Sequence, residues 1–254
     1  MLRMRFAART SAELGVWTGL SGAQFLPLIK KLRHVRADKR RGHPWGPAFA
    51  DRVLLLVLSY RTSLTLRQLG SLLATFDSAA HRMVKDLAPH LSKLLGPPPK
   101  DKRELWIADG TLISVYDQKR TKKSKNYRRG VNVQVIVRDR CVIAVGDAWP
   151  ATGTTRRLPR NPAKDPVAAG YPRLFRRWRL LGLCPDPVPA RGPDGRIIRD
   201  WTYKRFRRRR AVVEHVLARL KDYQILRQCR REGDAINDAV RGVAALHNLK
   251  IDVP

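Results

Sequence analysis

The chain has 254 residues, of which 52 are Lys or Arg and 21 are Asp or Glu, for a formal net charge of +31. Hydrophobic residues make up 43%, enough for a folded core, and so large an excess of cations draws a protein to polyanions such as DNA or RNA. No apolar run approaches the ~18 residues that a membrane-spanning helix needs, and three widely spaced cysteines, Cys141, Cys184 and Cys229, argue against both a disulfide framework and a zinc knuckle.

The first residues, Met1-Leu-Arg-Met-Arg-Phe6, lead into polar Arg9-Thr-Ser-Ala-Glu13 rather than a long apolar stretch, so the expectation is a cytoplasmic, nucleoid-associated protein without a signal peptide. Helical periodicity begins at Leu20 and runs through Leu32, and a second, strongly apolar helix is predicted over 48–60. Two further helices are predicted over 63–73 and 78–88, separated by a break at Ala74-Thr-Phe-Asp77, with Thr65 and Asp77 or Ser78 as N-caps. This is the layout of a helix-turn-helix. In that motif the second helix enters the major groove, and the spacing turns Ser78, His81, Arg82 and Lys85 toward DNA while Met83, Val84 and Leu87 face inward. A plain helical hairpin has the same pattern, and the basic charge is what favours DNA binding.

The stretch Gly96-Pro-Pro-Pro-Lys-Asp-Lys-Arg103 reads as a stiff linker over 96–103, dividing a helical domain over 1–95 from a second domain over 104–254. Past it the pattern changes to strands. Leu105-Trp-Ile-Ala108, Val131-Asn-Val-Gln-Val-Ile-Val137 and Cys141-Val-Ile-Ala-Val145 predict a three-strand meander, with Arg138-Asp-Arg140 as a tight connection. Residues 151–200 are rich in Pro, Gly and Arg and read as irregular loop. A basic helix follows from Trp201 through Lys221, and an amphipathic one over 235–249 carries Val240, Val243, Leu246 and Leu249. The expected fold class is therefore α+β.

Two carboxylates stand out. Val212, Val213, Val216, Leu217 and Leu220 recur at helical spacing, which sets Glu214 beside an apolar stripe, in line with Arg210 and Lys221. Such a glutamate could simply pair with Arg210 or Arg219 along the helix surface. Asp109, in Trp106-Ile-Ala-Asp-Gly-Thr-Leu112, is placed at the end of the first strand, where Asp-Gly also reads as an ordinary turn. Taken together, the pair fits two-metal phosphoryl chemistry, in which carboxylates hold two cations on the attacking and leaving oxygens. His215, the neighbour of Glu214, is read as structural, and Trp106, Trp149 and Trp201 as packing residues.

Leu64-Thr-Leu-Arg-Gln-Leu69, Ala108-Asp-Gly-Thr111, Lys125-Asn-Tyr-Arg128 before Val131-Asn-Val-Gln-Val135, Val145-Gly-Asp-Ala-Trp-Pro150, the basic run 207–221 and Leu246-His-Asn-Leu249 follow one another in a familiar order. With these pieces the chain resembles insertion-sequence transposases of the DDE superfamily, in the branch with an N-terminal helix-turn-helix and a ribonuclease-H-like α/β catalytic domain. The resemblance implies Asp109 and Glu214 as catalytic, metal-binding carboxylates, Mg²⁺ or Mn²⁺ as cofactor, and metal-dependent cleavage and transfer of DNA strands. It implies double-stranded DNA as partner, as terminal repeats and as target, with a homo-oligomer assembling on it. Arg210 and Lys221 match cations that flank the family's Glu, while Arg207 stands where the family carries a Tyr; all three are candidate DNA contacts.

The middle of the chain departs from the family's pattern. Its Pro-Gly-Asn-x-x-Asp and Ala-Asp-x-Gly-Tyr stretches correspond here to Pro150-Ala-Thr-Gly-Thr-Thr155 and Val167-Ala-Ala-Gly-Tyr171. Ala168 thus occupies the position of the second catalytic Asp, with Asp165 three residues away as a substitute carboxylate. A site with two carboxylates binds Mg²⁺ weakly, so the alternative is a DNA-binding remnant without catalysis. The hypothesis that explains the departure is a frameshift. Loss of one base from codons for a Pro-Gly-Asn run gives Pro150-Ala-Thr-Gly-Thr-Thr-Arg156, and an Asp-x-Gly-Tyr stretch in another frame of that interval is what the gene must then contain.

Overall fold

A computed structural model describes residues 10–35, 45–97, 106–117, 119, 121–123, 129–151, 174–176 and 192–252. It is a mixed α and β chain that divides into two compact units. One comprises Met1–Gly96, Ser114–Asp117 and Leu220–Pro254; the other Pro97–Ile113 and Gln118–Arg219.

The first unit is helical. Helix α1 (Ser11–Thr18), which helical periodicity alone does not reveal, starts in a capping box between Thr10 and Glu13 and ends on left-handed Gly19. Helices α2 (Gly22–Val35) and α3 (Phe49–Arg61) follow, close to their expected bounds. α3 is buried along nearly its whole length, and the guanidinium of buried Arg52 lies over the rings of Trp45 and Phe49, 5.8 and 5.1 Å away. Cation–π contact lets an arginine reside in so apolar a setting.

Helices α4 (Leu66–Leu72) and α5 (Asp77–Lys93) are joined by residues 73–76. Thr65 caps α4 as expected, its hydroxyl accepting from the Gln68 amide while the Gln68 side chain accepts from the Thr65 amide. Asp77 and Ser78, in contrast, are not the cap of α5. They are its first two residues and Phe76 holds the cap position, because α5 begins a residue earlier than the polar run suggests. α4 closes in a Schellman motif, with the Thr75 amide donating to Gly70 O at 2.8 Å and the Ala74 amide to Ser71 O at 3.2 Å. Ala74 takes the left-handed position with φ 51°.

The last helix completes this unit. α7 (Ala235–Asp252) buries Val240, Val243, Leu246 and Leu249, the stripe its periodicity predicts. A Cβ on Gly242 would meet Leu91 Cδ2 and Tyr60 Cε2, each at 3.1 Å, so a glycine there lets α7 approach α5 and α3 closely. Ser92 of α5 donates to Asp238 of α7 at 2.8 Å. The compact units therefore group 220–254 with the N-terminal helices, unlike the linear partition into 1–95 and 104–254. Most of the linker, 98–103, lies outside the described residues.

The second unit is built on a sheet. β1 (Trp106–Val115) pairs antiparallel with β3 (Arg129–Arg138), which pairs antiparallel with β4 (Cys141–Val145), giving the expected meander. β2 (Lys122–Lys123) and β5 (Trp149–Pro150) extend β3. On the other side of β1, β6 (Leu174–Arg176) runs parallel. Gly130 is required where β3 meets β1, since a Cβ would lie 2.5 Å from Ile113 O. At its far end β1 leaves this sheet and pairs Ser114 and Val115 with β7 (Gln228–Cys229) in the helical unit. Helix α6 (Trp201–Leu220) begins on Asp200, whose Oδ1 accepts from the Thr202 hydroxyl at 2.6 Å and the Tyr203 amide at 2.9 Å.

Trp149 and Trp201 are 52% and 67% exposed and are not the packing residues expected; each is the first residue of its element. Among the described residues Cys141 and Cys229 are free thiols, the latter buried. No helix among the described residues is long and apolar enough to cross a membrane.

Candidate nucleic-acid interface and carboxylate site

The α4–α5 pair has two contrasting sides. Ala80, Met83, Val84, Leu87 and Leu91 are buried, whereas Ser78, His81, Arg82 and Lys85 are all exposed, as the helical spacing requires. Arg67 and Gln68 of α4 are exposed as well. Two features of this surface have no local signal in the sequence. Arg230, far along the chain, donates to Ser63 O at 3.4 Å and so brings a cation to the start of α4. Arg231 beside it donates to Ser59 Oγ at 3.3 Å, fixing the segment against α3; its burial lowers the guanidinium pKa, and burial of neighbouring Tyr60 and Cys229 keeps both neutral by raising theirs. The second is Phe76, which is 83% exposed at the turn.

In the sheet unit Asp109 does not end the first strand. It is the fourth residue of β1 and pairs with Val135, and the Asp-Gly turn is not formed because Gly110 pairs in turn with Gln134. Gly110 is instead a close approach, with Asn132 Oδ1 2.9 Å from where its Cβ would be. The register decides what surrounds the carboxylate. Residues opposite one another in an antiparallel pair share a face and successive residues alternate, so Asp109 shares its face with Ile107, Thr111, Ile113, Val131, Val133, Val135 and Val137. All seven are buried. Asp109, half-buried, is the acid on a face that is apolar apart from Thr111, with one carboxylate oxygen accepting from the Gly110 amide at 2.8 Å. It is also the first residue of β1 past the register with β6, which ends at Ala108 opposite Arg176.

Glu214 lies on α6, where Val213, Val216 and Leu220 are buried and Val212 and Leu217 half-buried, so the predicted stripe is present. Its carboxylate is exposed and accepts a hydrogen bond from the Arg210 guanidinium one turn earlier. This is the surface pairing that spacing alone allowed. Arg207 stacks over the Tyr203 ring at 6.0 Å, and His215 is exposed. Lys221, just past α6, falls in the helical unit, where its carbonyl accepts from Arg227 Nε at 2.7 Å. Asp109 and Glu214 belong to the same unit. Asp165 and Ala168 lie outside the described residues, and among the described residues no group of three or more His, Cys, Asp or Glu side chains could hold a metal ion.

Over nearly its whole length the chain matches a known mobile-element protein, and it belongs to the insertion-sequence transposases. The relative is a protein of Streptomyces albus G described as "Putative transposase for insertion sequence element IS112", 35% identical over 252 residues, covering 92% of this chain and 93% of that one. No family model matches the chain, and no solved structure is similar to it.

Proposed function

We propose that this transposase binds duplex DNA through α4 and α5 and cleaves and transfers strands at a centre to which Asp109 and Glu214 contribute carboxylates. The observation that carries the reading is the position of Asp109, a carboxylate held mid-strand among seven buried neighbours. The reduced dielectric beside that apolar face strengthens the attraction of a carboxylate for a cation. A meander of β1, β3 and β4 joined by parallel β6 is compatible with the ribonuclease-H-like domain that the resemblance implies. The exposed cations of α4 and α5 support the helix-turn-helix reading.

Carboxylate oxygens are the right donors for Mg²⁺ or Mn²⁺, so the two residues fit such a cation in kind. They do not fit it in number, since such a cation takes about six oxygen ligands, and water or phosphate oxygens would complete the set. A bound divalent cation would supply charge neutralisation at the phosphate and an activated water. The chain's own part is to present Asp109 from a rigid strand, to release Glu214 from Arg210, and to hold phosphates with Arg207 and Arg210, whose guanidinium forks suit bidentate contact with phosphate oxygens; Lys221, in the helical unit, offers DNA a point charge. Action on paired element ends calls for a homo-oligomer on DNA. A second reading, a DNA-binding remnant without catalysis, is favoured by Ala168 at the position of the missing acid.

Nicking of a supercoiled plasmid carrying the DNA that flanks the gene separates them. Nicking that needs Mg²⁺ or Mn²⁺ and is lost in Asp109→Asn and in Glu214→Gln is the expected result. Retained duplex binding with no nicking at any metal concentration would leave the second reading.

A further inference from the structure

Phe76 holds a position that suits a polar residue. It is the N-cap of α5, with φ −75° and ψ 152°, and makes no side-chain cap hydrogen bond. Ser, Thr, Asp or Asn would accept a first-turn amide there, which a phenyl ring cannot do. Nor does the ring gain burial: among the large apolar side chains described it is the most exposed. Packing and capping, the two ways a residue stabilises a helix start, are both forgone.

The backbone beneath the ring is nonetheless well defined. The Schellman pair closes α4 immediately before it, and a Cβ on Gly70 would lie 2.9 Å from Thr75 O, so α4 and the turn are in close contact. Behind the turn, Ala80, Met83, Val84 and Leu87 anchor α5. The ring therefore projects from a fixed platform. The exposed polar side chains of the same helix pair include Arg67 on α4 and Ser78, His81, Arg82 and Lys85 on α5. Asp77, the acid of this stretch, has its carboxylate engaged by the Ser78 amide at 2.7 Å. Arg230 adds a further cation at the start of α4. A lone exposed ring within a mainly cationic surface matches a ligand that is anionic overall and carries isolated apolar features.

Duplex DNA has that chemistry in its major groove, where the C5 methyl of thymine is the apolar mark among base-edge donors and acceptors. We infer that Phe76 reads base sequence by packing its ring against a thymine methyl. The inference rests on the duplex-binding reading of α4 and α5. It assigns different tasks to neighbouring residues: the cations hold phosphates irrespective of sequence, and Phe76, at the end of the helix that reaches base edges, contributes a preference for thymine at one step.

Replacing thymine by uracil removes that methyl and nothing else. The test measures binding of the full-length chain to duplexes copied from the DNA flanking the gene, with each thymine replaced by uracil in turn. Wild-type protein is expected to lose about fourfold in affinity at one thymine, the value of burying one methyl-sized group. Phe76→Ala is expected to bind the thymine and uracil duplexes equally at that step, and Phe76→Leu to keep part of the difference. Because the ring is exposed, Phe76→Ala should melt with the wild type. Equal wild-type affinity for every thymine and uracil duplex, or discrimination that survives in Phe76→Ala, overturns the inference. If binding still weakens with salt and in Arg82→Ala and Lys85→Ala, only the role of Phe76 falls. If no duplex is bound at all, the DNA-binding reading falls with it.

Discussion

Arg210 and Glu214, one turn apart on α6, are joined guanidinium to carboxylate, with side chains 30% and 52% exposed. At such exposure an i,i+4 pair contributes only about 0.5 kcal/mol. A phosphate or a divalent cation can therefore separate the two at little cost. Replacing Arg210 with Met should lower the metal concentration for half-maximal nicking by about twofold, since Glu214 no longer has to be released, a ratio set by that same pair energy. The same variant should reduce the salt slope of duplex binding by about one unit if Arg210 contacts a phosphate. An unchanged metal requirement would separate Glu214 from the metal.

The turn between α4 and α5 is tuned at two positions. Ala74 holds a left-handed conformation that glycine adopts without steric cost, so Ala74→Gly should raise unfolding free energy by up to about 1 kcal/mol. Gly70 lies against Thr75 O, and Gly70→Ala should lower it by roughly 1–3 kcal/mol through overpacking. Denaturant midpoints of the two variants, moving in opposite directions, check the geometry of the turn that presents α5.

Asp200 anchors the start of the helix that carries Glu214. The Thr202 hydroxyl first, and the Tyr203 amide next, hold its carboxyl below the usual carboxylate range. The folded-state pKa being depressed, the cap is fully effective above the unfolded pKa and weakens as pH falls through the folded value. Amide exchange in the first turn of α6 should therefore speed up below about pH 4, and Asp200→Asn, which keeps an acceptor, should lose that dependence. Pronounced acid sensitivity in Asp200→Asn would assign the effect elsewhere.

The helical unit should not form from the first ninety-odd residues alone. Tyr60 and Leu91 pack at Gly242, and Ser92 bonds Asp238, so a fragment over 1–96 lacks the partner of α5. By circular dichroism that fragment should show little cooperative melting, and adding a peptide over 220–252 should restore part of it. A cooperatively folded 1–96 would contradict the packing of α7 as the closing element.

Much of this arrangement is legible in the sequence where one periodicity dominates. Val131, Val133, Val135 and Val137 alternate and give β3; Met83, Val84, Leu87 and Leu91 give the buried side of α5. α1 is hidden because exposed Val16 and Trp17 blur its buried stripe of Leu14 and Thr18. Asp109 is recognisable as a candidate acid but not as a mid-strand one, since Asp-Gly is a turn signal and what retains Gly110 is Asn132 on another strand. Arg230 at Ser63 depends on contact across 167 positions of sequence, for which a local pattern carries no mark. β6 falls in a stretch dense in Pro, Gly and Arg, where pairing with β1 and not propensity makes the strand.

The long separation in sequence between α5 and its partner α7 has a consequence for synthesis. Helices α3 and α5 emerge from the ribosome well before Gly242 and its neighbours on α7, against which Tyr60 and Leu91 pack. A growing chain thus exposes apolar surface until α7 has been made, and products truncated before α7 keep that surface open. Only a molecule translated through α7 can bury the faces of α3 and α5 that meet at Gly242, so closure of the helical unit waits on a segment far along the chain.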